Sequence, residues 1–202
     1  MKMIVADLEG VFFPEIWINV AKKTGIEALK LTTRDVSDYD ALMTKRLSIL
    51  KENNLKIQDI QDVIADLEPL DGSLEFLDWV RKHSQIIVLS DTFEEFAKPL
   101  MIKLKYPTLL CHKLNIDADG NIVDYDIRIL DQKKEAVKAL QAINYHVIAF
   151  GDSYNDIDMI QQADQGFLFM PPESVIHDYP ELPVTQNYRE LKNRVYSLLE
   201  TP

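Results

Sequence analysis

The chain has 202 residues and a formal charge of −11 at pH 7. This length allows one substantial hydrophobic core with an insertion and is too short for two large independent domains. The negative charge argues against nucleic acid or an anionic membrane as the main partner. It does not exclude a small anionic substrate, because a bound divalent cation can reverse the local field.

Cysteine content and hydropathy bear on the cellular compartment. The single cysteine, Cys111, rules out an internal disulfide and fits a reducing compartment. No apolar stretch approaches the length of a membrane span, and the amino terminus leads directly into a short apolar strand. We therefore predict a soluble, cytoplasmic protein that has no membrane partner and is either a monomer or a homodimer.

The first predicted element is a short buried strand over residues 4–6, which ends at two carboxylates. Asp7 and Glu9 follow it at i and i+2, so they should point the same way beyond the strand, and Gly10 lets the chain turn. Two like charges held together require a cation between them or a proton on one of them. An aspartate nucleophile with a neighbouring carboxyl to handle the proton fits this pair. For these residues alone, an ordinary acidic loop is the more common explanation.

Helical periodicity without a convincing strand predicts a helical insertion over residues 14–71. Pro14 is a favourable helix-entry residue, and Pro69 and Gly72 close the segment. The core would then comprise residues 1–13 and 72–202. The apolar positions of the three expected helices are Ile16, Trp17, Val20 and Ala21; Tyr39, Leu42, Met43, Leu47 and Leu50; and Ile57, Ile60, Ile64 and Leu67.

From Ser73 onward, predicted helices and strands alternate. This alternation predicts an α/β fold with a doubly wound, mostly parallel sheet, in which ligands bind beyond the carboxyl ends of the strands. The turn signal at residues 117–121 predicts a β-hairpin between residues 113–116 and 122–129. Pro99 should kink its helix or mark its start. The other strands are predicted at residues 86–89, 108–111, 147–150 and 166–169.

Polar residues follow two of these later strands. Ser90-Asp91-Thr92 comes after Leu89, and Gly151-Asp152-Ser153-Tyr154-Asn155-Asp156 comes after Phe150. A serine opening a helix is commonly an N-cap, yet its hydroxyl and the free amides also suit an oxyanion. Carboxylates crowded at one sheet edge are unfavourable without a cation among them, and their oxygen ligands favour Mg²⁺.

A site that transfers a phosphoryl group should also contain a lysine to neutralise its charge. Lys133 and Lys134 both stand at the start of the helix that precedes the Asp152 strand. Position alone does not choose between them, and a lysine at a helix start is more commonly just solvated.

Taken in order, these residues resemble the four signatures of the haloacid dehalogenase-like phosphatases. The matching segments are Asp7-Leu8-Glu9-Gly10-Val11, Ser90, Lys133 and Gly151-Asp152-Ser153-Tyr154-Asn155-Asp156. Within that superfamily the chain is similar to the phosphoserine phosphatases, and most similar to the branch that also acts as a homoserine phosphotransferase. Pro14-Glu15-Ile16-Trp17-Ile18 and Leu109-Leu110-Cys111-His112-Lys113-Leu114 support that branch. The resemblance covers essentially the whole chain and implies a Rossmann-like core.

The resemblance implies a role for each signature residue. Asp7 would be the nucleophile that forms an aspartyl-phosphate, and Glu9 the general acid and then the general base. Ser90 and Lys133 would bind the phosphoryl oxygens, and Lys133 would also temper the charge on Asp7. Mg²⁺ would be held by Asp7, the backbone carbonyl of Glu9 and Asp152. Asp156 would support either metal-bound water at this site or Lys133.

The same resemblance implies a pocket for O-phosphoserine, with homoserine as a possible phosphoryl acceptor. Arg46 would bind the substrate carboxylate and Glu15 the amino group, although snorkelling is the ordinary explanation for an arginine on an apolar face. Asp91, Thr92 and Asn155 complete the expected substrate-binding set. Asp91-Thr92 replaces the glycine pair of the family. The insertion should form a cap that closes over this pocket and excludes water.

Glu9 departs from the family pattern, which usually has aspartate at this position. The extra methylene changes its reach, and its higher reference pKa leaves it more often available as an acid and less often as a base. Slower activation of water would leave a longer-lived phosphoenzyme that can pass its phosphate to another alcohol. Whether hydrolysis or transfer dominates remains open.

Two alternatives remain. Residues 115–120, with Asp126 at the twelfth position, imitate the opening of an EF-hand loop and would suit a calcium-binding protein. Strand-like flanks favour a polar hairpin turn instead. The second alternative keeps the fold but replaces the substrate with a nucleotide or phosphoglycolate. An ion-pair pocket made by Glu15 and Arg46 argues against it.

Overall fold

The computed structural model describes residues 1–31 and 39–200, and its centre is a seven-stranded sheet. Its order is β4-β3-β2-β1-β5-β6-β7, and every neighbouring pair is parallel except β3 with β4, which is antiparallel. The predicted α/β class and mostly parallel sheet are thus confirmed. The strands are β1 (Lys2–Ala6), β2 (Gln85–Phe93), β3 (Thr108–Ile116), β4 (Ile122–Asp126), β5 (His146–Gly151), β6 (Gln165–Phe169) and β7 (Val184–Thr185).

Helices cover both faces of the sheet. Alternate side chains of the central strand β1 point to opposite faces, and each set packs in a different hydrophobic cluster. Ile4 and Ala6 of β1 pack in one hydrophobic cluster, and Met3 and Val5 pack in another. The helices are α1 (Ile16–Thr24), α2 (Tyr39–Glu52), α3 (Ile57–Ala65), α4 (Ser73–His83), α5 (Glu94–Lys103), α6 (Gln132–Ala142), α7 (Ile157–Gln162), α8 (Glu173–Asp178) and α9 (Tyr188–Glu200), with 3-10 turns at Glu27–Lys30 and Tyr154–Asp156.

Between β1 and α4, the described part of the chain is helical and contains no named strand, as its periodicity predicts. Its apolar faces do not form a separate core. Met43, Ile60 and Ile64 belong to the same hydrophobic cluster as Phe96 and Leu100 of α5. The insertion therefore packs directly on the α/β layer. The proposed boundaries at residues 14 and 71 remain a prediction.

Three local predictions need correction. Ser90 lies inside β2 and does not open a helix, because the strand continues to Phe93 before α5 begins. Residues 108–111 and 113–116 form one strand, which pairs with β2 first and with β4 later. Helix α5 continues through Pro99, so this proline does not mark its start.

The predicted β-hairpin is present, with a shorter second strand that ends at Asp126. The Asp117 carboxylate accepts hydrogen bonds from the amides of Asp119 (3.0 Å) and Asn121 (2.8 Å), which holds the turn. The turn also reaches the insertion, since Ile57 N–H donates to the Gly120 carbonyl at 2.9 Å. Strands rather than helices flank this segment, so it is not an EF-hand.

Candidate active site

The carboxyl ends of three adjacent strands meet at one edge of the sheet. β2, β1 and β5 are neighbours in the sheet, and Asp7, Ser90 and Asp152 lie at or just beyond their ends. They surround a cavity of about 450 Å³, here called the strand-end cavity. The predicted site residues that line it are Asp7, Glu9, Glu15, Arg46, Ser90, Asp91, Thr92, Asp152 and Asn155. The geometric prediction for these strand ends is therefore confirmed.

Lys133 and Asp156 lie behind this cavity, buried beneath Asp7. Lys133 Nζ is 2.9 Å from Asp7 Oδ1 and 2.8 Å from Asp156 Oδ1. Burial would lower the pKa of Lys133, but Asp156, Asp7 and Asp91 outweigh it and raise the pKa well above its ordinary value. The site therefore holds a fixed positive charge against Asp7. Lys134, the alternative candidate, instead pairs at 3.6 Å with the exposed side chain of Asp158.

The Asp156 carboxylate also shapes the loop after β5. Its Oδ2 accepts hydrogen bonds from the amides of Asp152 and Ser153, both at 3.0 Å. Gly151 is required here, because a Cβ at this position would lie 2.2 Å from the Asp156 carboxyl carbon. These contacts fix the direction in which the Asp152 side chain leaves the loop.

Among the described residues, Asp7, Asp152 and Asp156 form a group of carboxylates that could hold a metal ion. One oxygen from each lies within 4.8 Å of the others. Asp152 Oδ1 is buried and has no hydrogen-bond partner in the part of the chain that the structure describes, and burial, followed by Asp156, raises the pKa of Asp152 to about 8. A hard divalent cation would satisfy this oxygen and remove the repulsion, so the donor set fits Mg²⁺.

Glu9 links the first strand to the insertion. Its Oε2 accepts a hydrogen bond from Ile16 N–H, the first residue of α1, at 2.7 Å. Burial, with a further contribution from Glu15, raises the pKa of Glu9 to about 8. Glu9 is thus mostly protonated at neutral pH, as a general acid must be before it acts.

Ser90, Asp91 and Thr92 form an irregular stretch at the end of β2. Ser90 is buried, and its Oγ accepts a hydrogen bond from Thr92 N–H at 3.3 Å. Asp91 Oδ2 accepts one from Asn155 Nδ2 at 3.1 Å, which joins the ends of β2 and β5. Burial alone would raise the pKa of Asp91, but Lys133 and hydrogen bonds from Asn155 and Gln132 bring it below its ordinary value.

Arg46, from helix α2 of the insertion, lines the strand-end cavity. Its guanidinium carbon lies 4.4 Å from the centre of the Trp17 ring, and Nη2 donates to the Leu31 carbonyl at 2.9 Å. Nε is buried and has no hydrogen-bond partner among the described residues, and burial lowers the pKa of Arg46 to about 10. Glu15, the N-cap of α1, lines the same cavity. The wall of the cavity therefore carries a cation and a carboxylate in addition to Asp7 and Asp152.

Two residues at the site were not assigned a role from the sequence, although His112 lies in one of the segments that resemble the family. Gln132 is 2% exposed and donates from Nε2 to the Ser90 carbonyl at 2.6 Å. His112 is buried beside it, with Nε2 3.8 Å from Asp91 Oδ1. Glutamine belongs to no catalytic motif in this context, and the position of His112 depends on β3 lying next to β2.

Comparison with known protein families supports the same fold and chemistry. The profile of the haloacid dehalogenase-like hydrolase family matches residues 2–164. The chain is a haloacid dehalogenase-like hydrolase. The match includes all four signature segments, so the family predicted from these segments is confirmed.

Two curated relatives of this hydrolase are similar over most of its length. It is 54% identical over 192 residues to "Phosphoserine phosphatase ThrH" of Pseudomonas aeruginosa. This alignment covers 95% of this chain and 94% of the relative. It is 52% identical over 186 residues to a "Phosphoserine phosphatase" of Pseudomonas syringae pv. tomato, and this alignment covers 92% of this chain and 78% of the relative.

Solved structures with lower sequence identity share the fold. A phosphoserine phosphatase described as a phospho-aspartyl intermediate analogue has a TM-score of 0.79 at 21% identity and covers 96% of this chain and 98% of the other. A substrate-bound phosphoserine phosphatase complex has a TM-score of 0.77 at 20% identity, and the match covers 96% of this chain and 97% of the other. In the described residues, no helix is both long and apolar enough to cross a membrane.

Proposed function

We infer that this hydrolase cleaves O-phosphoserine to serine and inorganic phosphate through a phosphoryl group carried on Asp7. The observation that carries the inference is the ion pair of Asp7 with Lys133 at the edge of the strand-end cavity, beside Ser90. A buried carboxylate next to a fixed ammonium can attack phosphorus while the ammonium offsets the charge of the phosphoryl oxygens. The two curated relatives bear the name phosphoserine phosphatase, which supports this substrate.

The reaction has two displacements at phosphorus. In the first, an Asp7 oxygen forms a bond to phosphorus, the bond to the serine oxygen breaks, and the Glu9 carboxyl gives its proton to that oxygen. In the second, the Glu9 carboxylate takes a proton from water as the water oxygen attacks phosphorus and the Asp7–phosphorus linkage breaks. A Glu9 pKa of about 8 supplies the protonated form for the first step.

We propose Mg²⁺ as the cofactor, with Asp7, Asp152 and the backbone carbonyl of Glu9 as ligands and Asp156 in support. When bound, the ion neutralises charge on the phosphoryl oxygens and on the carboxylates around them. The orphaned oxygen of Asp152 supports this assignment. Ser90 and Lys133 would bind the phosphoryl oxygens.

The amino-acid part of the substrate would lie against the insertion. Arg46 retains a buried, unpartnered Nε that can donate to the substrate carboxylate, and a guanidinium can bind a carboxylate through two parallel hydrogen bonds. Glu15 would accept hydrogen bonds from the ammonium group. Asp91, Thr92 and Asn155 would complete the wall between these groups and the phosphate. We propose that residues 14–71 act as the cap over a core of residues 1–13 and 72–202.

Transfer of the phosphoryl group to homoserine is the second activity we propose. Homoserine carries the same carboxylate and ammonium groups as serine, so the pocket of Arg46 and Glu15 can hold it after serine leaves. Its hydroxyl would then replace water as the attacking group. Glu9 in place of the usual aspartate would favour this route by slowing the activation of water.

A phosphate-release screen tests the proposed function. Wild type and Asp7→Asn are assayed with Mg²⁺ on O-phosphoserine, p-nitrophenyl phosphate, a nucleoside monophosphate and phosphoglycolate. We expect wild type to prefer phosphoserine, and Asp7→Asn to lose about 10³-fold or more in kcat. Preference for the nucleotide or for phosphoglycolate would refute the substrate assignment. Adding homoserine should produce O-phosphohomoserine and reduce phosphate release.

A further inference from the structure

We propose that Gln132 is a positioning residue that holds the phosphate-binding end of β2 in place. This inference rests on the proposed phosphatase function, because it assigns Gln132 to Ser90 and Asp91. Gln132 is the first residue of α6, next to Lys133, and is almost fully buried. A buried amide is unfavourable unless it is hydrogen-bonded, so its contacts define what it does.

Gln132 contacts the end of β2 directly, and its Nε2 also lies 3.3 Å from His112 Nε2 of β3. Its Nε2 donates to the Ser90 carbonyl at 2.6 Å and to Asp91 Oδ1 at 3.2 Å. Its Oε1 accepts a hydrogen bond from Arg128 Nη2 at 3.1 Å, which fixes the orientation of the amide. The Gln132 side chain therefore holds two adjacent residues of the phosphate-binding segment, Ser90 and Asp91.

The sheet itself does not hold this segment. Pairing of β2 with β1 ends at Val88, opposite Ala6. Pairing with β3 stops at Leu89 and resumes at Phe93, so Ser90, Asp91 and Thr92 together face only one residue of β3. Such a bulge needs other hydrogen bonds to define its backbone, and Gln132 donates one to the Ser90 carbonyl.

The orientation of this bulge matters for catalysis. Thr92 N–H donates to Ser90 Oγ at the cavity wall, which leaves the Ser90 hydroxyl to donate to phosphoryl oxygens that would lie there. Donors that are already oriented before the substrate arrives stabilise a transition state without further reorganisation. Without Gln132, the bulge would relax and the Ser90 hydroxyl would bind the phosphoryl group less well.

The same helix offers a matched control. Gln141 donates to the Gln162 carbonyl at 3.0 Å and to Asp164 Oδ2 at 3.1 Å, and its Oε1 accepts a hydrogen bond from Gln162. Its hydrogen bonds therefore match those of Gln132 in kind, but it is nine residues farther along α6, about 13 Å away. Gln132→Met and Gln141→Met remove equivalent hydrogen bonds, and only the first should affect catalysis.

The test measures kcat/KM on phosphoserine and p-nitrophenyl phosphate, together with the inhibition constant of inorganic phosphate, which does not depend on the fraction of active enzyme. For Gln132→Met we expect kcat/KM to fall about tenfold on both substrates and the inhibition constant to rise at least about threefold. Gln141→Met should leave both quantities within about twofold of wild type. A Gln132→Met variant that matches wild type, or a Gln141→Met variant with equal losses, overturns the proposal.

A second variant covers the case in which Gln132→Met does not fold. Arg128 is exposed, so Arg128→Met should retain the fold while releasing the amide of Gln132. We expect a fall of about threefold in kcat/KM on both substrates, and an unchanged value overturns the proposal. Wild type without phosphatase activity would refute the proposed function itself, whereas an active wild type with unaffected variants refutes only the role of Gln132.

Discussion

Glu9 accepts a hydrogen bond from the amide of Ile16, so the proposed proton donor is tied to the first turn of the insertion. The first amides of a helix lack partners within it, and a carboxyl at this position satisfies one of them. This hydrogen bond favours the ionised carboxyl, but burial and Glu15 raise the pKa of Glu9 despite it. The protonation of Glu9 therefore depends on how the insertion packs on the core.

Shortening Glu9 should change how the phosphoenzyme divides between water and homoserine. In Glu9→Asp the carboxyl is one methylene farther from Ile16 and has a lower reference pKa, so it is more often ionised and available as a base. We expect the ratio of hydrolysis to transfer to rise about threefold or more. The ratio is measured as phosphate against O-phosphohomoserine at a fixed homoserine concentration. An unchanged ratio would remove Glu9 as the cause of transfer.

The buried carboxyls should make the metal-free protein less stable as pH rises. Glu9 and Asp152 both have a pKa of about 8 in the folded state, above the value near 4 expected for an unfolded chain. The folded state therefore binds more protons between these values, and its stability falls as pH rises through the window. Each carboxyl lowers the free energy of unfolding by at most about 1.4 kcal/mol per pH unit.

Thermal unfolding in EDTA at pH 6.5 and pH 8 measures this effect. The lower limit of pH 6.5 keeps the opposing contribution of His112, whose pKa is lowered mainly by burial, to at most about 0.4 kcal/mol. We expect a lower Tm at pH 8, and a smaller difference in the double variant Glu9→Gln, Asp152→Asn. A Tm that is constant or rises over this interval would contradict the raised pKa values.

Mg²⁺ should stabilise the protein through the carboxylates at the strand ends and not through the hairpin turn. At a concentration about 100 times the Kd, binding to the folded state adds about 2.7 kcal/mol of stability. We expect Asp152→Asn to abolish the increase in Tm, and Asp119→Ala to retain it. The reverse pattern, measured with Ca²⁺ as well, would favour a calcium-binding turn.

Arg46 should distinguish substrates that carry a carboxylate from those that do not. In Arg46→Ala we expect KM for phosphoserine to rise about 30-fold or more and KM for p-nitrophenyl phosphate to change by less than about threefold. Arg46→Lys keeps the charge but loses the planar pair of donors and should fall between wild type and Arg46→Ala. Equal effects on both substrates would mean that Arg46 only supports the fold.

A side chain at position 10 should be unfavourable for two reasons: it would clash with Asp152, and the backbone there has a positive φ. Gly10 and Gly25 have nearly equal positive φ values, 74° and 72°, but a Cβ on Gly10 would lie 2.2 Å from the Asp152 carboxyl carbon, whereas Gly25 faces open space. Gly25→Ala should cost about 1 kcal/mol of unfolding free energy from backbone strain alone. Gly10→Ala should cost more and also reduce kcat. Equal losses of stability with unchanged kcat would show that Asp152 can move aside.

The strand ends were predictable from the sequence because their signals are local. Asp7 and Asp152 each follow a short apolar run, and parallel strands bring such ends to one edge of the sheet. Lys133 was separated from Lys134 only by resemblance to the family. The structure shows the physical difference, since one is buried against two carboxylates and the other is partly exposed.

The features that the sequence did not reveal depend on tertiary contacts. Ser90 was expected at a helix start, and only the pairing of β2 with β3 shows that it lies in a bulge of a longer strand. Gln132 contacts Ser90 across 42 positions in the chain, and no local pattern marks such a pair. Trp17 has the spacing of an ordinary apolar helix residue, yet its ring lies against the Arg46 guanidinium.

The hairpin turn at residues 117–121 is exposed, which ordinarily marks a place where a chain accepts insertions or tags. Here the Gly120 carbonyl receives the first amide of α3, and the Asp119 carbonyl receives Lys56 Nζ at 2.9 Å. A peptide grafted into this tip would remove both hydrogen bonds between the turn and the start of α3, although the apolar contacts of α3 with α5 would remain. Protein engineers should therefore choose another loop for labels or fusions.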